Sequence, residues 1–164
     1  MAKLIQMYCG AGKGKTSAAF GRGFQAACEG KSVFIVSFLK GKGSVEPGLL
    51  RRLEPEIKLF TFDKFSEKYS ELSESEKREE QIHVQNGLNF ARKVMVTEEC
   101  DMLILDEILE LADRNIVPLE EIIHLLEQSP DNMDIILTGT GRCERLWPYV
   151  DQVIELEVVK ENAV

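Results

Sequence analysis

Short apolar runs punctuate the chain at Leu4 to Tyr8, Val33 to Phe38, Ile57 to Phe62, Met102 to Leu105, Ile135 to Leu137 and Val153 to Leu156. Several are apolar at successive positions instead of alternating, the pattern of strands covered on both faces. Segments of helical period lie between them. Lys15 to Glu29 reads as a helix closing at Gly30, a residue suited to the left-handed conformation past a helix end. Its Ala18, Ala19, Gly21 and Gly23 are small enough to let it lie close on a sheet. A second helix is expected from Ser73 or Ser75 to Val96, with Val84, Leu88, Ala91 and Met95 as one buried stripe. A third is expected to start at Pro118, within its first turn, to present Leu119, Ile122, Ile123 and Leu126 on one face, and to end at Ser129-Pro130-Asp131-Asn132. This alternation predicts an α/β class, a mostly parallel sheet with helices on both faces.

A length of 164 residues fits one domain, 1–164, with room for a real apolar core. With 28 Asp+Glu against 20 Lys+Arg the net charge is -8, the wrong sign for neutralising a nucleic-acid backbone, so no nucleic-acid partner is expected. No apolar stretch approaches the roughly 20 residues that span a bilayer, and the opening MAKLIQMYCG has no signal-peptide anatomy. The expectation is a cytoplasmic protein with no membrane partner. Cys9, Cys28, Cys100 and Cys143 show no metal-ligand spacing and read as reduced thiols. The charged, serine-containing stretch Ser66 to Glu80 reads as an exposed loop running into a helix.

The densest chemistry lies in Cys9-Gly10-Ala11-Gly12-Lys13-Gly14-Lys15-Thr16-Ser17, directly after the first apolar run and opening the first helix. Glycines there let successive backbone N–H groups turn onto an anion, the helix N-terminus adds partial positive charge, Lys15 supplies a mobile cation and the Thr16 hydroxyl suits a magnesium shell. The predicted architecture is therefore that of P-loop NTPases (RecA-like), with Gly10, Ala11, Gly12, Lys13, Gly14, Lys15, Thr16 and Ser17 as ATP-binding candidates. Cys9 stands where the usual G-x-x-x-x-G-K-[ST] pattern has its first glycine. Met102-Leu103-Ile104-Leu105-Asp106-Glu107 delivers two carboxylates at a strand's C-terminal end, where ligands sit in open α/β sheets. Asp106 is the second metal candidate beside Thr16, and Glu107 a nucleotide contact. Thr138-Gly139-Thr140-Gly141-Arg142 combines flexible backbone with a guanidinium, making Arg142 a phosphate-contact candidate. Lys40-Gly41-Lys42-Gly43 reads as a solvated loop, while Phe65 and Tyr69 are candidates for covering a flat ligand. His83 and His124 read as helix residues without catalytic partners. A loop that grips polyphosphate leaves open which bond breaks: it serves γ-phosphoryl transfer, as in a generic P-loop ATPase, or holds triphosphate as a leaving group.

Taken in order, these residues resemble the P-loop family of corrinoid adenosyltransferases, also called ATP:cob(I)alamin adenosyltransferases, over nearly the whole chain. Gly10, Gly12, Lys13, Gly14, Lys15 and Thr16 match its T-G-N-G-K-G-K-T-T loop. Phe38-Leu39-Lys40-Gly41 resembles F-I-K-G, Asp101 to Glu107 resembles D-L-V-I-L-D-E, Pro118 to Glu121 falls at P-L-E-E, and Leu137-Thr138-Gly139 resembles L-T-G. Thr140 takes the place of the arginine of the family's T-G-R, with Arg142 two residues on, and Leu88 that of a helix tryptophan. The resemblance implies a homodimer in which Co(I) of a reduced corrinoid attacks C5′ of ATP and expels triphosphate, so that no protein residue serves as nucleophile. Magnesium and a reductase that supplies Co(I) come with it. It also implies that Phe65, within Lys64-Phe65-Ser66-Glu67, stands where the family's G-F-T-W faces the corrinoid. Family chains continue past a V-K-H segment with a tail that helps close the nucleotide site, so a chain ending at Val164 is expected to leave that site open or to complete it from a partner. The alternative implied is an ATP-binding relative without corrinoid activity, a sensor or accessory subunit.

Replacing Lys15 with alanine should weaken ATP binding by about 1.5 to 3 kcal/mol, the scale of a hydrogen bond to a charged group. Titration calorimetry checks this, and unchanged affinity would contradict the assignment of the loop.

Overall fold

The computed structural model describes residues 3–39 and 47–163; the Lys40-Gly41-Lys42-Gly43 segment lies outside the described residues. The strands are β1 (Ile5–Cys9), β2 (Val33–Phe38), β3 (Ile57–Phe62), β4 (Met102–Asp106), β5 (Asp134–Thr138) and β6 (Gln152–Glu155). The helices are α1 (Lys15–Cys28), α2 (Pro47–Arg51), α3 (Glu74–Thr97), α4 (Ile108–Asp113) and α5 (Leu119–Glu127). The strands form one six-stranded sheet in the order β3-β2-β4-β5-β1-β6. Every pairing is parallel.

The expected two-sided burial follows from the pleat, which sends successive side chains to opposite faces. On one face Phe34, Val36, Phe38, Leu103, Leu105, Ile135 and Leu137 pack with Val84, Leu88, Ala91 and Met95 of α3, and with apolar residues of α4 and α5. On the other, Val33, Ile35, Met102, Ile104 and Ile136 pack with Ala19 and Ala26 of α1. β1, β2, β4 and most of β5 are buried along their length, whereas the edge strands β3 and β6 are only half covered.

The helix ends follow local chemistry. α1 closes in a Schellman arrangement: Lys31 N–H donates to Ala26 O and Gly30 N–H to Ala27 O, both at 3.0 Å, with Gly30 at φ 85°. α3 opens with a capping box in which Ser73 and Glu76 satisfy each other's backbone N–H groups. Pro118 differs from expectation: it is the extended N-cap of α5, with φ -63° and ψ 141°, and the helix proper begins at Leu119. Gly21 also departs, since it faces open space while Ala19 and Gly23 make the close approach to the sheet.

Gly87 sets up a contest between propensity and packing. A Cβ there would lie 2.6 Å from Phe38 Cε1 and 3.0 Å from Phe62 Cβ. Phe38 is fully buried, and the Phe62 atom sits next to strand backbone, so neither yields easily. Gly87→Ala gains about 1 kcal/mol of helix propensity but should still destabilise the protein by about 1 to 3 kcal/mol through overpacking. A lower urea midpoint at unchanged slope would confirm this, and a raised midpoint would refute it.

Candidate active site

The glycine-rich loop connects β1 to α1 and divides into two halves. In the first, Gly10 and Gly12 are buried on either side of an exposed Ala11: Gly10 N–H donates to Thr140 O at 3.0 Å and Gly12 N–H to Leu156 O at 2.9 Å, while Leu156 N–H returns to Cys9 O at 2.8 Å. A Cβ on either Gly10 or Gly12 would lie 2.5 Å from Leu156 O, so glycine is required there by the neighbouring chain. Cys9, at the position of the usual first glycine, turns its fully buried side chain into the core below α4. Burial, and then the Glu155 carboxylate, push its thiol up, only partly opposed by Arg142 and Lys15. It is therefore a neutral packing group at physiological pH.

The second half faces solvent. Lys13, Gly14 and Ser17 are exposed, and Gly14 at φ 102° forms the N-cap of α1 without a side-chain cap. Uncapped first-turn amides leave the positive end of the helix directed outward, a ready anion site. Lys15 Nζ donates to Gly12 O at 2.7 Å, folded back along the loop it belongs to.

Asp106 ends β4 with no exposed surface. Its Oδ1 accepts from Thr16 Oγ1 at 2.9 Å and from Thr138 Oγ1 at 2.6 Å. Glu107 follows in the left-handed conformation, φ 68°, with its N–H donating to Thr138 Oγ1 at 2.8 Å. Ser37 pairs with Asp106 in the β2–β4 register and is 2 % exposed, its hydroxyl meeting no hydrogen-bond partner among the described residues. The predicted metal donors Thr16 and Asp106 are thus brought together. Both offer hard oxygens, which suits magnesium. Among the described residues no group of three or more His, Cys, Asp or Glu side chains could hold a metal ion. An ion here would take its other ligands from phosphate oxygens and water, as magnesium usually does.

The Thr138 to Arg142 turn owes its glycines to packing: a Cβ on Gly139 or Gly141 would collide with Leu109 or Asp113 of α4. Thr140 N–H donates to Glu110 Oε1 at 2.7 Å, and Arg114 Nε to Glu110 Oε2 at 3.2 Å. Burial raises the Glu110 carboxyl, but the hydrogen bonds from Thr140 and Arg114 outweigh it and hold the group below the usual carboxylate value. Arg142 lies at the far side of the turn. Its Nε is 3.0 Å from Glu155 Oε2, its Nη1 3.3 Å from Glu144 Oε1, and its guanidinium 5.1 Å from the Trp147 ring centroid.

Phe65 is half-buried beyond the C-terminal end of β3, at the opposite margin of the sheet from β6. The main-chain N–H groups of Lys64 and Phe65 donate to Glu80 Oε2 at 3.2 and 3.3 Å, and that carboxylate is 2 % exposed. A small cleft beside it is lined by Leu39, Phe65, Glu67, Tyr69, Leu72 and Glu80. Strands β2, β4 and β5 separate β3 from β1. Phe65 and the glycine-rich loop therefore occupy the same C-terminal edge at separate places.

Sequence reasoning missed Glu110 and Glu80. Each carried a signal, a carboxylate within a helical stretch at a position that packing buries, Glu110 in Ile108-Leu109-Glu110-Leu111 and Glu80 four residues before Val84.

The model of the family "ATP:corrinoid adenosyltransferase BtuR/CobO/CobP" matches residues 1–163. The corrinoid adenosyltransferase of Escherichia coli (strain K12) is 32% identical over 163 residues, covering 96% of this chain and 78% of that protein. The corrinoid adenosyltransferase CobA of Salmonella typhimurium (strain LT2) is 31% identical with the same coverage. That of Pseudomonas aeruginosa (strain PAO1) is 24% identical over 159 residues, 96% of this chain and 76% of its own length.

Because its folded carboxyl is depressed, Glu110 contributes stability that is fully present above its ordinary value of 4.5 and is lost as pH falls through the lower folded value. Glu110→Gln should therefore lower stability by about 1 kcal/mol at pH 7, the difference between charged and neutral hydrogen bonds. The deficit should shrink in strong acid. Thermal melts across the acid range check the sign, and a deficit that grows on acidification would contradict it.

Proposed function

Since the chain belongs to the ATP:corrinoid adenosyltransferase BtuR/CobO/CobP family, we propose that it transfers the 5′-deoxyadenosyl group of ATP to the Co(I) centre of a corrinoid substrate and releases triphosphate. The observation that carries this reading within the fold is the convergence at one sheet edge of an uncapped helix N-terminus, Lys15, and the Thr16–Asp106 pair at 2.9 Å.

The bookkeeping of the reaction explains what the residues must do. The cobalt electron pair forms a Co–C bond to C5′, the C5′–O bond breaks, its electrons leave on triphosphate, and cobalt passes from Co(I) to Co(III). The substrate is itself the nucleophile, so the protein needs none. That agrees with a buried, neutral Cys9 beside the loop. The work left to the chain is to hold the two substrates in line and to neutralise the departing triphosphate.

Lys13 to Ser17 offer amides for phosphate oxygens, and Lys15 exchanges its bond to Gly12 O for a bond to phosphate. Thr16 and Asp106 would hold magnesium. When bound, the ion adds positive charge against the triphosphate. Glu107 stands at the same edge for the nucleotide or its metal shell. Arg142, seated between Glu144 and Glu155, is placed to exchange a carboxylate for phosphate. Phe65, beside a small cleft of mixed polar and apolar lining at a separate place on that edge, would face the corrinoid. A homodimer, a cytoplasmic setting and a reductase that delivers Co(I) belong to the same reading. Among the described residues no helix is long and apolar enough to cross a membrane.

Anaerobic incubation with MgATP and reduced cobalamin should yield the adenosylcobalamin spectrum with one triphosphate released per cobalt alkylated. ATP binding without that product would identify an accessory relative, and release of orthophosphate a generic ATPase; either would overturn the proposal.

A further inference from the structure

Thr138 terminates β5 and is fully buried. Its single hydroxyl links two successive residues of another strand end. Glu107 N–H can only donate, so at 2.8 Å the threonine oxygen is its acceptor, and the hydroxyl proton is directed to Asp106 Oδ1 at 2.6 Å. Thr16, the other donor to the same oxygen, belongs to the loop-and-helix segment and is partly exposed. Thr138, by contrast, is held in the sheet, where β5 pairs with β1 through Tyr8 and Thr138. It is the donor anchored in a buried strand.

The second bond matters as well. Glu107 adopts φ 68°, a conformation unfavourable for a residue with a Cβ. Accepting its N–H secures that turn and so sets where the Glu107 side chain starts. One hydroxyl thereby fixes the carboxylate of Asp106 and the backbone of Glu107 together.

We propose that Thr138 is a positioning residue for the metal–nucleotide site, acting through Asp106 and Glu107 without touching phosphate. This gives Thr138 a task distinct from the phosphate contact expected of Arg142 in the same turn, and it rests on the ATP and magnesium reading above.

The test compares wild type with Thr138→Val, which keeps shape and removes the hydroxyl, and Thr138→Ser, which keeps the hydroxyl. Calorimetry measures binding of ATP with magnesium and of ATP in EDTA. Thr138→Val should weaken MgATP binding about 10- to 100-fold, the usual cost of losing a partner behind a metal ligand, and leave metal-free ATP within about twofold. Thr138→Ser should restore the metal-dependent difference. Should valine prevent folding, as judged by thermal melts, Thr138→Ala makes the same comparison without added bulk. Equal losses with and without magnesium would reduce Thr138 to a structural role and overturn the proposal, as would no loss in either. Absence of magnesium-dependent ATP binding in wild type would instead remove the functional reading on which it stands.

Discussion

A buried carboxylate is costly unless its oxygens find donors, and Asp106 gathers hydroxyls from two distant parts of the chain onto one of them, Oδ1. Thr16 reaches it from the first helix and Thr138 from the fifth strand. The consequence runs outward from one oxygen atom. The Thr16 hydroxyl on Oδ1 ties the first turn of α1 to the end of β4, and with it brings the amides preceding it to the same edge. The helix positions the loop, and Asp106 positions the helix. The site is thus a by-product of satisfying one buried acid in a sheet whose central strands are closed to solvent on both faces.

The glycines of the loop answer two different constraints. Gly10 and Gly12 are small because the chain beyond β6 passes directly over them and hydrogen-bonds to Gly12. Gly14, in contrast, has only the Leu156 side chain within ordinary contact and is needed for its left-handed backbone at the helix entry. The same motif that looks like uniform flexibility in the sequence is a rigid half joined to an open half. Under the proposed function, the open half meets phosphate and the rigid half keeps it in register with the sheet.

Most of the fold was legible because its signals are local. Apolar runs marked all six strands to within about a residue or two, and Gly30, Ser73 and the glycine-rich loop marked helix ends through chemistry that needs no tertiary partner. What escaped was decided by neighbours. α4 is six residues long, too short for a period to show, and begins two residues after Asp106. Glu107 and Glu98 take left-handed conformations that glycine usually signals. The glycines at positions 139 and 141 suggested a phosphate loop, when the reason for them is the side chains of Leu109 and Asp113. Likewise Glu110 drew no reading from the sequence, because its role lies in a hydrogen bond from the Thr140 amide thirty residues away. The pair at Thr16 and Asp106 was found from sequence because each sits in a motif; Thr138, which donates to the same Asp106 oxygen, sits in a turn whose sequence drew attention to Arg142 instead.

The sheet order has an implication for the newly made polypeptide. β1 lies between β5 and β6, so both of its partners are made only after β2, β3 and β4 have followed it. Such distant pairings form slowly. Until Leu156 has been synthesised, Gly12 lacks the carbonyl that accepts its N–H. Under the proposed function, a nascent chain that already carries the whole Cys9 to Ser17 motif would acquire its nucleotide pocket only after β6 has been made.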